Sequence, residues 1–384
     1  MSSSQEVARL LDEGIEAVKQ GDYAAAIKLW SQAIELDPND DKLLVNRATA
    51  YSQTGNLAGA LADLEAALKL NANNPHALFS RANLYARQNK FKEAIADLNK
   101  GIELDPNDAD AYYNRANMNV KAYSPMATFF SAPKGAGNLM GNFNQVMDDF
   151  TQAIKLKPNV AQFYANRAGL QFELLQRMQA QATRTQTVNT PQMFQQQTVQ
   201  RFDLSLAEPA LNDINKAIEL DPKSADYWKN RGVLYLMLTN KVSEAIADLT
   251  RAVELDPNFI DAYVFRCNAY NKLGQADKAA ADATRCIDLE PNNLNHYFNR
   301  AMARRKLNDH QGAVDDLNVV IQRDPKNIKA YPNRAECYTE LGKKQEAAAD
   351  WEQYLALDGG KKFGDEQAVQ AKIKKLRSWF PFGR

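Results

Sequence analysis

The chain has 384 residues, enough for two or three globular domains or one long array of repeats. Its 47 basic and 47 acidic residues cancel, which removes the basic excess a nucleic-acid binder usually carries. Three cysteines at uneven spacing make no disulfide framework, and no apolar run reaches the length of a membrane span.

Residues 1–20 mix Glu, Asp and Arg with spaced apolar residues, the pattern of an amphipathic helix and not of a signal peptide, so a cytoplasmic location is expected. After the turn "KQGDY" (19–23), residues 24–36 place Ile27, Trp30, Ile34 and Leu36 at helical steps, and Pro38 follows the stop. That ending returns at Pro106, Pro158, Pro222, Pro257, Pro291 and Pro325, with Ala72 and Gly359 in the same phase. Successive gaps are 34, 34, 52, 64, 35, 34, 34 and 34 residues. A 34-residue period therefore governs the chain, with interruptions of 18 and 30 residues and one single-residue insertion. The predicted units are 7–40, 41–74, 75–108, 109–160, 161–224, 225–259, 260–293, 294–327 and 328–361, each a pair of helices A and B. The interruptions fall at about 124–141 and 180–205, in the A–B turns of two consecutive units. Prolines and glycines argue against regular structure in the first. Residues 362–384 are expected to supply a capping helix, "DEQAVQAKIKKLRS" (365–378), and an aromatic tail.

Aligning the units gives columns. An aromatic column reads Tyr112, Tyr164, Trp228, Tyr263, Tyr297 and Tyr331, with Leu10, Leu44 and Leu78 in the early copies. A small-residue column reads Gly14, Ala48, Ala82, Ala116, Ala168, Gly232, Cys267, Ala301 and Ala335, and a tyrosine column follows at Tyr51, Tyr85, Tyr235, Tyr270 and Tyr338. Cys267, Cys286 and Cys337 occupy helical positions filled by Ala or Gly in sister units, as buried thiols would. These columns resemble the tetratricopeptide repeat family over roughly residues 7–361. The resemblance implies an all-α fold, a right-handed superhelical solenoid of antiparallel helix pairs whose A helices line a concave groove. The terminal repeats then need caps. One departure stands out, since the residue before the small column is Arg where the common pattern has Leu.

Eight units carry that arginine, at 47, 81, 115, 167, 231, 266, 300 and 334. The same eight carry an aspartate late in helix B: Asp63, Asp97, Asp149, Asp213, Asp248, Asp282, Asp316 and Asp350. The first unit has neither. Joint presence and absence predicts that Arg and Asp of one unit pair across its own A–B contact, and a planar guanidinium suits a carboxylate held by two bonds.

The resemblance implies a different role for the asparagines. Asn46, Asn114, Asn166, Asn230, Asn299 and Asn333 occupy a column that faces the groove in the resembled fold, with Asn83, Asn117 and Asn268 about one turn later. Peptide-gripping members of the family use such amides on main-chain groups. Phe79, Tyr113, Val264, Phe265 and Phe298 are expected beside them as apolar anchors. The implied function is a protein–protein interaction scaffold that binds an extended peptide or partner helix. Members that clasp the C-terminal peptides of chaperones use a Lys-Asn-Asn-Lys-Arg set, for which the nearest match is Asn268, Asn299 and Lys329; Val264 and Asn333 depart from it. A peripheral membrane role is the further alternative, through the basic residues and "SWFPF" (378–382) of the tail. No enzyme motif, metal-ligand spacing or cofactor signature is present, and His76, His296 and His310 lie in different repeats or faces. No enzyme activity, cofactor or nucleic-acid partner is therefore expected, and oligomeric state is not specified. Within the interruptions, Phe129, Phe130 and Met140, and Met193, Phe194 and Phe202, are expected to form an insertion surface.

Overall fold

The structure is a computed structural model that describes residues 2–123, 137–188 and 207–378, with side chains 123, 137–142 and 177–188 outside the description. The chain forms two compact units, Met1–Leu170 and Gln171–Arg384. Among the described residues every regular element is helical.

The first unit contains α1 (Ser3–Lys19), α2 (Tyr23–Leu36), α3 (Asp41–Gln53), α4 (Leu57–Leu70), α5 (Pro75–Arg87), α6 (Phe91–Leu104), α7 (Ala109–Tyr123), α8 (Gly137–Leu156) and the opening residues of α9 (Ala161–Val188). Helices α1, α3, α5 and α7 each pack on the next to form a hairpin, and α2, α4 and α6 each pack on the hairpin that follows. Side-chain caps start the helices. Asp22 accepts from the Ala25 N–H, Asn56 from Gly59 and Asn74 from Ala77. The Leu-Asp-Pro endings stop them, because Asp37, Asp105 and their counterparts turn the carboxylate onto the N–H two residues on.

The second unit contains α10 (Glu208–Leu220), α11 (Ala225–Leu234), α12 (Val242–Leu255), α13 (Ile260–Lys272), α14 (Ala276–Leu289), α15 (Leu294–Lys306), α16 (His310–Arg323), α17 (Ala330–Glu340), α18 (Lys344–Ala356), the short α19 (Gly359–Phe363) and α20 (Glu366–Arg377). Hairpins α11–α12, α13–α14, α15–α16 and α17–α18 stack in order, and α20 lies on α18 with Val369 buried beside Trp351 and Tyr354. The A–B turns need a left-handed residue, supplied by Gly274 (φ 73°) or, where glycine is missing, by Asn308 (φ 60°).

Small residues let the helices approach. Ala26, Ala33, Ala60, Ala67, Ala245, Ala252 and Ala313 are fully buried, and Leu64, Leu98, Leu249 and Leu317 fill the spaces between them. In the first hairpin the small position must be glycine: a Cβ on Gly14 would sit 2.3 Å from Trp30 Nε1.

Three local features bear on the sequence-based expectations. The single-residue insertion becomes a π-helical turn, Tyr235–Thr239, at the end of α11, so one extra residue is absorbed without displacing the hairpin. Helix α8 begins at Gly137 and includes Gly141, inside the first interruption that was expected to be irregular. Its apolar residues recur at helical spacing through Val146 and Phe150, and their burial outweighs the roughly 1 kcal/mol that each glycine costs a helix. Helix α9 runs on to Val188, past the expected start of the second interruption, through "AQATRTQTV" (180–188), which has no Gly or Pro.

Candidate functional site

The repeated arginine pairs within its own hairpin, across the A–B contact. Arg47 donates through Nε and Nη2 to the two oxygens of Asp63 at 2.8 and 2.7 Å, and Arg81 grips Asp97 at 2.7 and 2.7 Å. The arrangement returns at Arg115–Asp149, Arg231–Asp248, Arg266–Asp282, Arg300–Asp316 and Arg334–Asp350. Arg167 and Asp213 belong to different units; Arg167 donates to Thr151 and Asp213 is buried. Sixteen residues separate most couples, but seventeen separate Arg231 from Asp248, and the π-helical turn lies between them.

Hydrogen bonding to the aspartates raises Arg47, Arg81, Arg231 and Arg300 above the ordinary guanidinium range. In the Arg334 couple two effects oppose each other. Burial pulls the guanidinium down, while the bond to Asp350 leaves it raised overall. Burial also lifts the Asp350 and Asp149 carboxyls against the pull of their arginines. With each carboxylate held by both Nε and Nη2 of its arginine, these groups tie helix A to helix B as framework.

Two further contacts of most of these arginines were not foreseen. The remaining nitrogen, Nη1, reaches sixteen residues back to helix B of the preceding hairpin: Arg115 to Asn99 (2.9 Å), Arg231 to Asn215 (2.8 Å), Arg266 to Thr250 (3.2 Å) and Arg334 to Asn318 (2.7 Å). The guanidinium also lies near the two aromatic columns, as where Arg266 sits 5.3 Å from the Tyr263 ring centroid and 5.8 Å from Tyr270. The outer aromatic is itself pinned by donating to a turn proline carbonyl, Tyr297 to Pro291 at 3.1 Å and Trp228 to Pro222 at 2.9 Å. The signal was present as a polar column sixteen residues before most of the arginines, at Ser31, Asn99, Asn215, Thr250 and Asn318 among others.

The asparagines behave differently. In the first unit Asn114 Nδ2 donates to Asn83 Oδ1 (3.3 Å), linking α7 to α5, and Asn166 Nδ2 donates to Asn117 Oδ1 (3.0 Å) and to the Tyr113 hydroxyl (2.9 Å), linking α9 to α7. These amides thus share one side of successive A helices. Asn83 is exposed; Asn46, Asn114, Asn117, Asn166 and Tyr113 are half-buried. Phe79 does not join them. Its ring lies against Gly101 of α6, in the core with Leu98 and Ile102, because Gly101 leaves a gap where other hairpins carry a side chain.

In the second unit Asn230, Phe265, Phe298 and Asn299 are half-buried and Asn268 is exposed, on α11, α13 and α15. Asn333 is already engaged, by Arg305 and by the Lys329 carbonyl (2.7 Å). Arg305 also pairs with Glu336 beside a cleft of about 540 Å³ that Met302, Lys306 and His310 help to line. His296 is buried on α15 with its Nε2 at 2.9 Å from Glu290. No group of metal-ligating side chains and no helix long and apolar enough to cross a membrane occurs among the described residues. Cys267, Cys286 and Cys337 are free and buried, and burial pushes their thiols up to about 12, 12 and 11. Phe129, Phe130, Met193, Phe194, Phe202 and the tail from Trp379 lie outside the described residues, as does the Met140 side chain.

Comparison with known proteins agrees with the helical-repeat fold. Tetratricopeptide repeat patterns match residues 11–75, 203–258 and 268–328, and a further TPR repeat pattern matches 82–122, together more than half of the chain. Human small glutamine-rich tetratricopeptide repeat-containing protein beta is 48% identical over 48 residues, 12% of this chain and 16% of that protein. The crystal structure of the C-terminal part of a TPR repeat-containing protein from Cytophaga hutchinsonii aligns with a TM-score of 0.53 at 17% identity, over 73% of this chain and 95% of that one. A tetratricopeptide repeat protein from Parabacteroides merdae aligns at 0.46, with 18% identity over 78% and 99% of the two chains.

Proposed function

The chain belongs to the tetratricopeptide repeat family, whose members generally mediate protein–protein interactions, and from that premise we propose that it is a non-enzymatic scaffold holding an extended peptide or partner helix against its asparagine-bearing helices. The observation that carries this reading is the contact of Asn83 with Asn114 and of Asn117 with Asn166, which sets amides from α5, α7 and α9 side by side with Tyr113. An amide donates to and accepts from a peptide group without selecting a side chain, and a neighbouring aromatic adds apolar contact. The arginines are read as framework here, since bonds to their aspartates hold Nε and Nη2 of each described couple.

Peptides selected by display against the full chain provide the test. Replacing Asn83 and Asn117 together with alanine should weaken the selected peptides about tenfold or more, each lost charge-free bond being about 0.5–1.5 kcal/mol, while the chain, short of two inter-helix amide bonds, stays folded and melts only slightly lower. Selected peptides whose affinities ignore the substitution would place recognition elsewhere.

A further inference from the structure

The net charge of the chain is zero, yet residues 359–378 hold six basic residues against two acidic ones. Their helix, α20, turns Val369, Ile373 and Leu376 inward onto Trp351 and Tyr354. Lys374 and Lys375 fall on the opposite side of the helical wheel and are exposed. Immediately before the helix, α19 exposes Lys361 and Lys362 and then Phe363. Phe363 is 52% exposed, more than any other large apolar side chain among the described residues, and the Lys362 ammonium lies 5.8 Å from its ring centroid. Few of these cations are neutralised by structure. Arg377 pairs with Glu352 and Lys361 with Asp358, whereas Lys374 and Lys375 meet no acid among the described residues. Lys372 rests 4.4 Å above the Trp351 ring, so its stem covers the last hairpin.

We infer that this end of the second unit is a docking face for an anionic lipid surface, with the lysines on the headgroups and Phe363 entering the interfacial layer. Charge complementarity favours a lipid surface as the occupant. A membrane presents many anions at once and needs no shaped pocket, and an aromatic flanked by lysines suits its interface. A nucleic acid would need a basic track along the chain, and here these cations are confined to one end, where Glu352 already holds Arg377. The inference is independent of the asparagine face.

Flotation of the full chain with phosphatidylcholine vesicles, with and without phosphatidylserine, tests it. The chain should float only with phosphatidylserine present and should be released by high salt. Lys374→Gln with Lys375→Gln should weaken partitioning about 25-fold, since one lysine near an anionic surface is worth about fivefold. Phe363→Ala should weaken it several-fold at unchanged salt dependence. Both changes are at exposed positions, and an unchanged melting curve would confirm that the fold is intact. Equal flotation on both vesicle types, no flotation, or flotation indifferent to both variants would overturn the inference, as would binding to single-stranded DNA but not to vesicles.

Discussion

Arg300 and Arg304 share one carboxylate. Arg300 donates to Asp316 through Nη2 at 2.7 Å and Nε at 3.0 Å, and Arg304 Nη1 reaches the same group at 2.9 Å. Arg304 stands four residues after Arg300, where five other repeats place a tyrosine, so this hairpin has a second ion pair in place of that aromatic neighbour.

A difference between repeats follows. Arg266→Leu leaves Asp282 buried without a cation, which should cost about 3 kcal/mol. Arg300→Leu leaves Asp316 with Arg304 and should cost no more than about half as much. Urea unfolding followed by circular dichroism measures both. Equal losses would mean that Arg304 does not support Asp316.

The π-helical turn should be removable. Deleting Met237, which is exposed, restores the 34-residue period and should convert Tyr235–Thr239 into ordinary helix. Melting should then change by only a few degrees. Deleting Asn271 from the regular helix α13 should unfold its hairpin. If both deletions are equally damaging, the turn is not the place where the extra residue is stored.

Gly14→Ala should destabilise the first hairpin by about 1–3 kcal/mol through collision with the Trp30 indole. Trp30→Leu in the same chain should recover part of the loss. Thermal melting of the two single variants and the double variant reads this directly, and additive losses would dissociate the two residues.

The buried thiols set a pH dependence. Native Cys267 and Cys286 hold their protons to about 12, while an unfolded thiol releases its proton near 9. Above pH 9 the unfolded chain therefore binds fewer protons than the native one. Stability present below pH 9 is lost as pH rises, by about 1.4 kcal/mol per unit for each thiol. Cys267→Ala with Cys286→Ala should flatten the decline between pH 9 and 11 relative to the parent chain. Parallel curves would contradict the assigned burial.

Much of this architecture was legible because a repeat acts as its own alignment. Arg and Asp vary together over eight units, and that covariation located a contact between residues about sixteen apart. The Nη1 bond was harder to see, because its acceptor is Ser, Asn or Thr in different repeats, three side chains joined only by an oxygen. The burial of Phe79 was not legible, because its position follows the repeat pattern, whereas its packing depends on Gly101, a partner over twenty residues away that leaves room for the ring. The helical start of α8 was obscured by Gly137 and Gly141, whose local preference was overridden by packing of Val146 and Phe150.

The account rests on the arginine column as framework, which frees the asparagines for recognition. The most direct measurement is a double-mutant cycle at Arg266 and Asp282, with Arg266→Leu, Asp282→Leu and both together unfolded in urea. The bidentate geometry, 2.8 and 2.7 Å between largely buried side chains, predicts a coupling of at least about 2 kcal/mol, with the double variant more stable than Arg266→Leu alone. A coupling within about 0.5 kcal/mol of zero would contradict it and return the arginines to the list of groups available to a ligand.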